Sequence, residues 1–386
     1  MAFAQGSRAS ISYMTEVTFG VTPGAPVMIE QRNTGSTLNM SKETFTSAEI
    51  RSDRQIAYSR HGNKQVGGDI NFELAYGNLD DILESIMFST WAASAGTASG
   101  ATSNATGYAI GSTSITLASA GTGTIVAGDV ITFAGDTTPY VVVSGSADVS
   151  AGGTVVIESP GLTVALATSA TSITVGASES LKAGVTQKSL VIERAFADVA
   201  QYLVYNGCVA NALSLNITAG QVVTGSVGFV GSKMTASGTV LDASITAAPT
   251  GDPFTAFEGT LFEAGTAIAI ITGMTLSLDN GVEANFVVGS DETPQLSYGR
   301  SNLTGTVTAF FEDLVQLNKF INETESSLKM TLTDSANKVL QISIPRLKYN
   351  GGDIPVSGEQ SLQINMPFQA LYNVADLSNL ILIRTP

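Results

Sequence analysis

The feature that most constrains this chain is a change of hydrophobic period that occurs twice. In Gly68–Met87, Ile70, Phe72, Leu74 and Tyr76 alternate with Asp69, Asn71, Glu73 and Ala75, the period of a strand with one buried face. After Gly77-Asn78 the apolar positions become Leu79, Ile82, Leu83, Ile86 and Met87, one face of a helix. Asn78 suits an N-cap, and Asp80 and Asp81 put negative charge where the helix dipole favours it. Gly305–Ile321 repeats the order, with Val307 and Ala309 ahead of Glu312-Asp313 and a helical run through Leu314, Leu317, Phe320 and Ile321.

The repeat extends beyond these two stretches. Gln55-Ile56-Ala57-Tyr58-Ser59-Arg60 matches Gln295-Leu296-Ser297-Tyr298-Gly299-Arg300, an offset of 240, and Gly68 matches Gly305, an offset of 237. Ser189-Leu190 matches Ser327-Leu328 at only 138, a fall of 99 residues. The segment Trp91–Gln187 is 97 residues long and differs in kind, with six charged residues among runs of Ala, Gly, Ser and Thr. Two copies of one unit, the first interrupted by an insert, account for all three offsets. The expected division is therefore residues 1–90 and 188–250 as the first unit, 91–187 as an inserted small β domain, and 251–386 as the second unit.

Within the insert, short strands are expected at Ser114–Leu117, Val130–Phe133, Tyr140–Val143, Val155–Ile157 and Ser172–Val175, between turn signals such as Ala134-Gly135-Asp136. Its ends, Ala92–Ala105 and Gly176–Gly184, read as linkers. Residues 1–37, broken by Gly20, Pro23, Gly24 and Pro26, read as a wrapping arm rather than core. Alternation at Leu213, Leu215, Ile217 and again at Leu340, Ile342, Ile344 marks further strands, so the class is mainly β.

Charge narrows the function. Only 13% of the 386 residues are charged, yet the net charge is -15, a balance that argues against a nucleic-acid reader, which would need Lys and Arg on one face to neutralise phosphates. The single cysteine, Cys208, allows no internal disulfide and fits a small buried residue made in a reducing compartment. The N-terminus has no basic-then-apolar leader pattern. His61, the one histidine, lies in Arg60-His61-Gly62-Asn63, expected as a turn, which leaves no second base for a catalytic triad and no histidine-rich metal site. Adjacent Asp80-Asp81 and Glu312-Asp313 are explained by helix starts rather than by a glycosidase pair. Phosphate-loop and dinucleotide fingerprints are missing. The residues therefore point to no enzyme and no cofactor.

Several strings, taken in order, resemble the tail tube (major tail) proteins of long-tailed bacteriophages. They include Ser47-Ala48-Glu49-Ile50-Arg51-Ser52-Asp53-Arg54, Tyr76-Gly77-Asn78-Leu79-Asp80-Asp81, Ile192-Glu193-Arg194-Ala195-Phe196 and Tyr205-Asn206-Gly207-Cys208. Later ones are Gly225-Ser226-Val227-Gly228-Phe229, Leu303-Thr304-Gly305-Thr306-Val307 and Pro367-Phe368-Gln369-Ala370. The resemblance covers roughly residues 8–90 and 188–386 and not the insert. It implies two tandem β-sandwich or barrel tube domains, each with a flanking helix, in a virion protein of the non-contractile, siphovirus type assembled in the host cytoplasm. The implied role is to polymerise into stacked rings whose lumen conducts double-stranded DNA without binding it.

Rings of six tube domains would then hold three chains, a homotrimer with pseudo-sixfold symmetry, and the tube would meet the tape measure protein and other tail proteins at its ends. Candidate subunit or ring contacts are Glu49, Arg51, Asp53, Arg54, Tyr58, Arg60, Tyr298 and Arg300, in the loops Ser47–Asn63 and Glu283–Asn302. The N-terminal arm and Leu377–Pro386 join them, and the insert is expected to project outward. The alternative class is a secreted or surface β-rich, adhesin-like structural protein, suggested by the Ser/Thr/Gly-rich insert.

Overall fold

A computed structural model describes residues 3–385 apart from residues 95, 97, 146–147, 168–170, 269, 357 and 360. In chain order the first part supplies β1 (Ala9–Thr15), β2 (Ile29–Gln31), β3 (Gly35–Ser36), β4 (Asn39–Thr46), β5 (Ser59–Glu73), helix α1 (Asp80–Met87) and β6 (Ala92–Ala93). A small six-stranded unit follows, made of β7 (Ser99–Ala101), β8 (Ser114–Leu117), β9 (Val130–Phe133), β10 (Asp136–Ser144), β11 (Gly153–Ile157) and β12 (Ser172–Val175). Next come β13 (Glu179–Lys182), β14 (Leu190–Phe196), β15 (Gln201–Thr218), β16 (Thr224–Gly231) and β17 (Lys233–Ser237). The last part holds β18 (Gly259–Glu263), β19 (Thr266–Ala267), β20 (Ile271–Asp279), β21 (Glu283–Asn285), β22 (Gln295–Ser297) and β23 (Asn302–Phe310). It closes with helix α2 (Val315–Ile321), β24 (Ser326–Thr333), β25 (Val339–Tyr349), β26 (Gln363–Ala370) and β27 (Ile381–Thr385).

The protein is mainly β, and two sets of strands pair in the same order. In the first set β2 pairs with β1, β1 with β14, β14 with β15, β15 with β16, and β16 with β5. In the second, β19 pairs with β18, β18 with β24, β24 with β25, β25 with β26, and β26 with β23. Register agrees as well as order. Ile70 lies opposite Val227 and Gly68 opposite Phe229, as Val307 lies opposite Met366 and Gly305 opposite Phe368. At Gly305 a Cβ would come 2.3 Å from the Thr275 carbonyl oxygen and 2.5 Å from the Phe368 ring, so only glycine lets that ring lie across the strand.

One long strand organises each set. The first half of β15 pairs with β14 and β17, and its second half with β16 and β20, so a single strand belongs to two sheets. β25 likewise pairs with β24 from Val339 to Leu347, with β27 along its first half and with β26 at its end. Apolar side chains of the paired sheets meet in one large core that includes Phe72, Leu213, Leu215, Leu276, Val307, Ile342 and Phe368.

Helix α1 follows β5 as its period predicts, and Leu79, Ile82, Leu83, Ile86 and Met87 are all buried. The N-cap position is Leu79, however, and not Asn78. The Asn78 side chain turns instead to the Arg32 backbone, accepting from its N–H at 3.3 Å. Asp80 forms an ion pair with Arg384 of β27, which also pairs with Glu179 and lies 4.5 Å from the Trp91 ring centroid. Helix α2 also follows its strand, but none of its residues is buried, and Leu314, Val315 and Ile321 are exposed.

Three other expectations are overturned. Residues 1–37 are no arm, because β1 pairs along its whole length with β14 and buries Ile11 and Tyr13. His61 lies in β5 opposite Thr44, not in a turn. The linker-like ends of the insert contain strands: β6 and β13 pair with each other, and β13 pairs with β27 from Glu179–Arg384 to Lys182–Ile381. The five strands expected inside the insert are all present, over a core that includes Ile115, Phe133, Tyr140, Val142 and Ile173.

The two helices should respond differently to truncation. Ile82→Ala empties a fully enclosed site and should cost about 2–5 kcal/mol in a denaturant melt. Ile321→Ala, at a side chain 62% exposed, should stay within about 0.5 kcal/mol in the isolated chain.

Candidate assembly surfaces

The two strand sets meet along a hydrogen-bonded seam. β15 and β20 form an antiparallel ladder from Ala212–Asp279 to Thr218–Gly273, which joins β4, β5, β16, β15, β20, β23, β26 and the end of β25 into one continuous sheet. A hairpin of the second set, β21–β22, then folds back over the first. Lys64 Nζ reaches Asp291 at 2.9 Å and Glu292 at 3.1 Å, and the Ser232 hydroxyl donates to the Thr293 carbonyl at 2.6 Å. Beneath the hairpin, Val282 and Leu296 pack on Val209, and Tyr298 meets Phe88 edge-on with ring centroids 5.2 Å apart. Asn280 donates to the Ile86 carbonyl at 2.7 Å, so the same segment covers the C-terminal end of α1.

The candidate contact residues divide accordingly. Tyr298 is already engaged inside the chain, while Arg300 is exposed beside it. Glu49, Arg51, Asp53, Arg54, Tyr58 and Arg60 are all exposed on or beside the loop between β4 and β5, which the Ser47 N–H closes by donating to the Tyr58 carbonyl at 2.9 Å. Arg51 and Asp53 pair with each other, at 2.7 Å, and the guanidinium holds the Asp53 carboxyl below its ordinary value. Ile50, Ile56 and Tyr58 of this loop are 100%, 71% and 68% exposed. Leu377–Pro386 is not a free tail over its described residues, because β27 is hydrogen-bonded between β25 and β13 and buries Ile381, Leu382 and Ile383. Cys208 is fully buried, and burial pushes its thiol well above the ordinary range.

One face of the continuous sheet has a chemistry that the sequence reading missed. Its outward positions are Asp69, Asn71 and Glu73 on β5, Ser214 and Asn216 on β15, and Thr275, Ser277 and Asp279 on β20. Short polar side chains cross-link neighbouring strands there, with Ser214 and Ser226 hydroxyls 2.8 Å apart and Thr308 donating to Asn365 at 3.1 Å. Residues 65–73, 212–218, 224–230, 273–279, 302–310 and 363–369 contain no Lys, Arg or His. The signal was available as six strand segments free of cations, but their common face becomes evident only once the ladder order is known.

The insert is fastened to the second set by a buried charge cluster. Lys329 of β24 and Glu158 are both 0% exposed, 3.0 Å apart, with the ammonium 4.4 Å from the Tyr140 ring centroid and Gln341 donating to Glu158 at 3.3 Å. Val130 and Val141 pack there on Ile381 and Ile383. Burial raises the Glu158 carboxyl, with Lys329 pulling it back. Burial, with Glu158 adding repulsion, also lifts Asp376 to about 6.

Removing Lys329 alone, as in Lys329→Met, leaves Glu158 buried without its cation and should cost about 3–5 kcal/mol in a denaturant melt. The double variant Lys329→Met/Glu158→Gln should recover most of that loss. Asp376 gives a pH signature of opposite sign to a salt-bridged carboxylate. Because its folded value lies above the ordinary one of about 4, its contribution is fully present below about pH 4 and is lost as pH rises through about 6. Asp376→Asn should therefore gain Tm relative to the parent between pH 4 and 7, read by thermal melts across that range.

Comparison with known proteins agrees with the architecture. A search among curated proteins found no match. The model of one family, described as phage tail tube protein, matches residues 6–370, nearly the whole chain. The chain therefore belongs to the phage tail tube protein family, structural proteins of the virion tail.

Proposed function

We propose that this chain polymerises into stacked rings that form the tail tube of a long-tailed phage, of the non-contractile type, with a lumen through which double-stranded DNA passes. The observation that carries this reading is the continuous sheet, in which two similarly paired strand sets lie edge to edge and present a largely polar face whose six central strand segments carry no cation, Lys348 at the end of β25 standing at its margin. Curved around an axis, that face lines the lumen. Asp69, Glu73 and Asp279 then repel phosphate rather than bind it, so DNA slides without being held.

Each chain supplies two tube units, residues 1–90 with 188–250 and residues 251–386, and three chains close a ring with pseudo-sixfold symmetry. The six-stranded insert within 91–187 sits on the outer surface, held by the Glu158–Lys329 cluster. Assembly takes place in the host cytoplasm, and the tube ends meet the tape measure protein and other tail proteins. No described helix is long and apolar enough to cross a membrane.

Electron microscopy of the purified protein tests this directly. The expected images are hollow tubes or rings with threefold repetition of the insert around the rim. Rings of six complete chains would sink the two-units-per-chain reading, and dispersed elongated monomers would favour the adhesin-like alternative.

A further inference from the structure

In the two strand sets, every pairing partner of β15 has a counterpart on β25 except one. β14, β16 and β17 on β15 correspond to β24, β26 and β27 on β25. The fourth partner of β15 is β20, and among the described residues no strand takes the equivalent place beside the end of β25 and the residues after it. The counterpart of β20 in the first set is β3–β4, which among the described residues is laddered to β5 alone. The chain thus ends in two half-joints of the kind that β15 and β20 complete inside it. We infer that the joint between neighbouring copies repeats this internal seam, with the β3–β4 edge of one copy laddered to residues 350–354 of the next.

The register follows from partners already in place. Ser214 lies opposite Ser226 on one side and Ser277 on the other. Asp353 is bridged to Asn365, which occupies the place of Ser226, and Asn39 lies opposite Gly67, as Ser277 lies opposite Thr304. Asp353 of one copy therefore faces Asn39 of the next. One residue further, Ile354 meets Leu38, as Leu215 meets Leu276. An antiparallel ladder here removes both open edges of the central sheet at once.

The same relation explains two exposed apolar surfaces. By the 240-residue offset, Ile56 and Tyr58 correspond to Leu296 and Tyr298, which are covered because their hairpin lies over Val209 and the end of α1. The equivalent ground on the second set is the end of α2, where Ile321 is 62% exposed. The Ser47–Tyr58 loop of one copy lies over that ground on the next, covering α2 as β21–β22 covers α1.

The inference rests on the tube reading, and cysteine pairing separates the two. Cys208 is buried, so the double variant Asn39→Cys/Asp353→Cys has only the new thiols available at the surface. Under mild oxidation, covalent dimers and higher multimers on non-reducing gels are expected from the double variant and from neither single one, because the joint is head-to-tail. Rings or tubes by microscopy without that ladder, or dimers from a single variant, would overturn this joint and leave the tube reading standing. Monomers without cross-links at every protein concentration would overturn both. Ile56→Asp, at an exposed side chain, should leave the monomer's Tm unchanged and lower the assembled fraction about tenfold; an unaltered assembled fraction would remove the loop from the joint.

Discussion

The rest of the structure depends on the double duty of β15. Between Ala212 and Asn216 its backbone is hydrogen-bonded on both sides, to β16 and to β20, while its first half serves another sheet. A strand shared in this way cannot shift register without moving every neighbour, since a one-residue slip would turn Leu213, Leu215 and Ile217 out of the core. The seam is therefore as much core as interface. Met274, Leu276 and Leu278 of β20 belong to the same apolar cluster as Phe72 and Val227, so the two strand sets share one interior.

What differs between the sets is what lies on top of them. Helix α1 is buried on one face and tied at both ends, through Asp80 to Arg384 and through the Ile86 carbonyl to Asn280. Helix α2 has Leu317 partly packed on the core, but Val315 and Ile321 are exposed. The insert adds a second asymmetry. It brings Glu158 against Lys329, two charges that remain stable in the interior because Val141, Gln341 and the Tyr140 ring complete their environment.

The sequence carried the periodic information well. Alternation at Ile70, Phe72 and at Leu213, Leu215 marked strands, and the shift to helical spacing after Gly77 marked α1, because side chains on a sheet or helix surface must repeat with its geometry. It misled where local composition and tertiary pairing disagree. Gly20, Pro23 and Pro26 suggested a loose arm, yet β1 ahead of them has β14 to pair with. Asn78 had the chemistry of a cap, but the Arg32 backbone competes for its side chain. Tyr298 and Tyr58 look alike in sequence, and only the folded chain distinguishes the covered one from the bare one. The cation-free strand segments are present as composition but have no common face until the ladder places them side by side.

The covalent continuity of the β15–β20 seam has a kinetic consequence. Two surfaces on one chain meet at an effective concentration fixed by the intervening linker, whereas surfaces on separate chains meet at the concentration of the protein itself. In the ring proposed above, alternate joints are thus already closed in every free chain, at any dilution. Only the others wait for an encounter. Assembly then has half as many intermolecular joints to make as a ring of single units, and wear or dissociation is confined to every second joint around the rim.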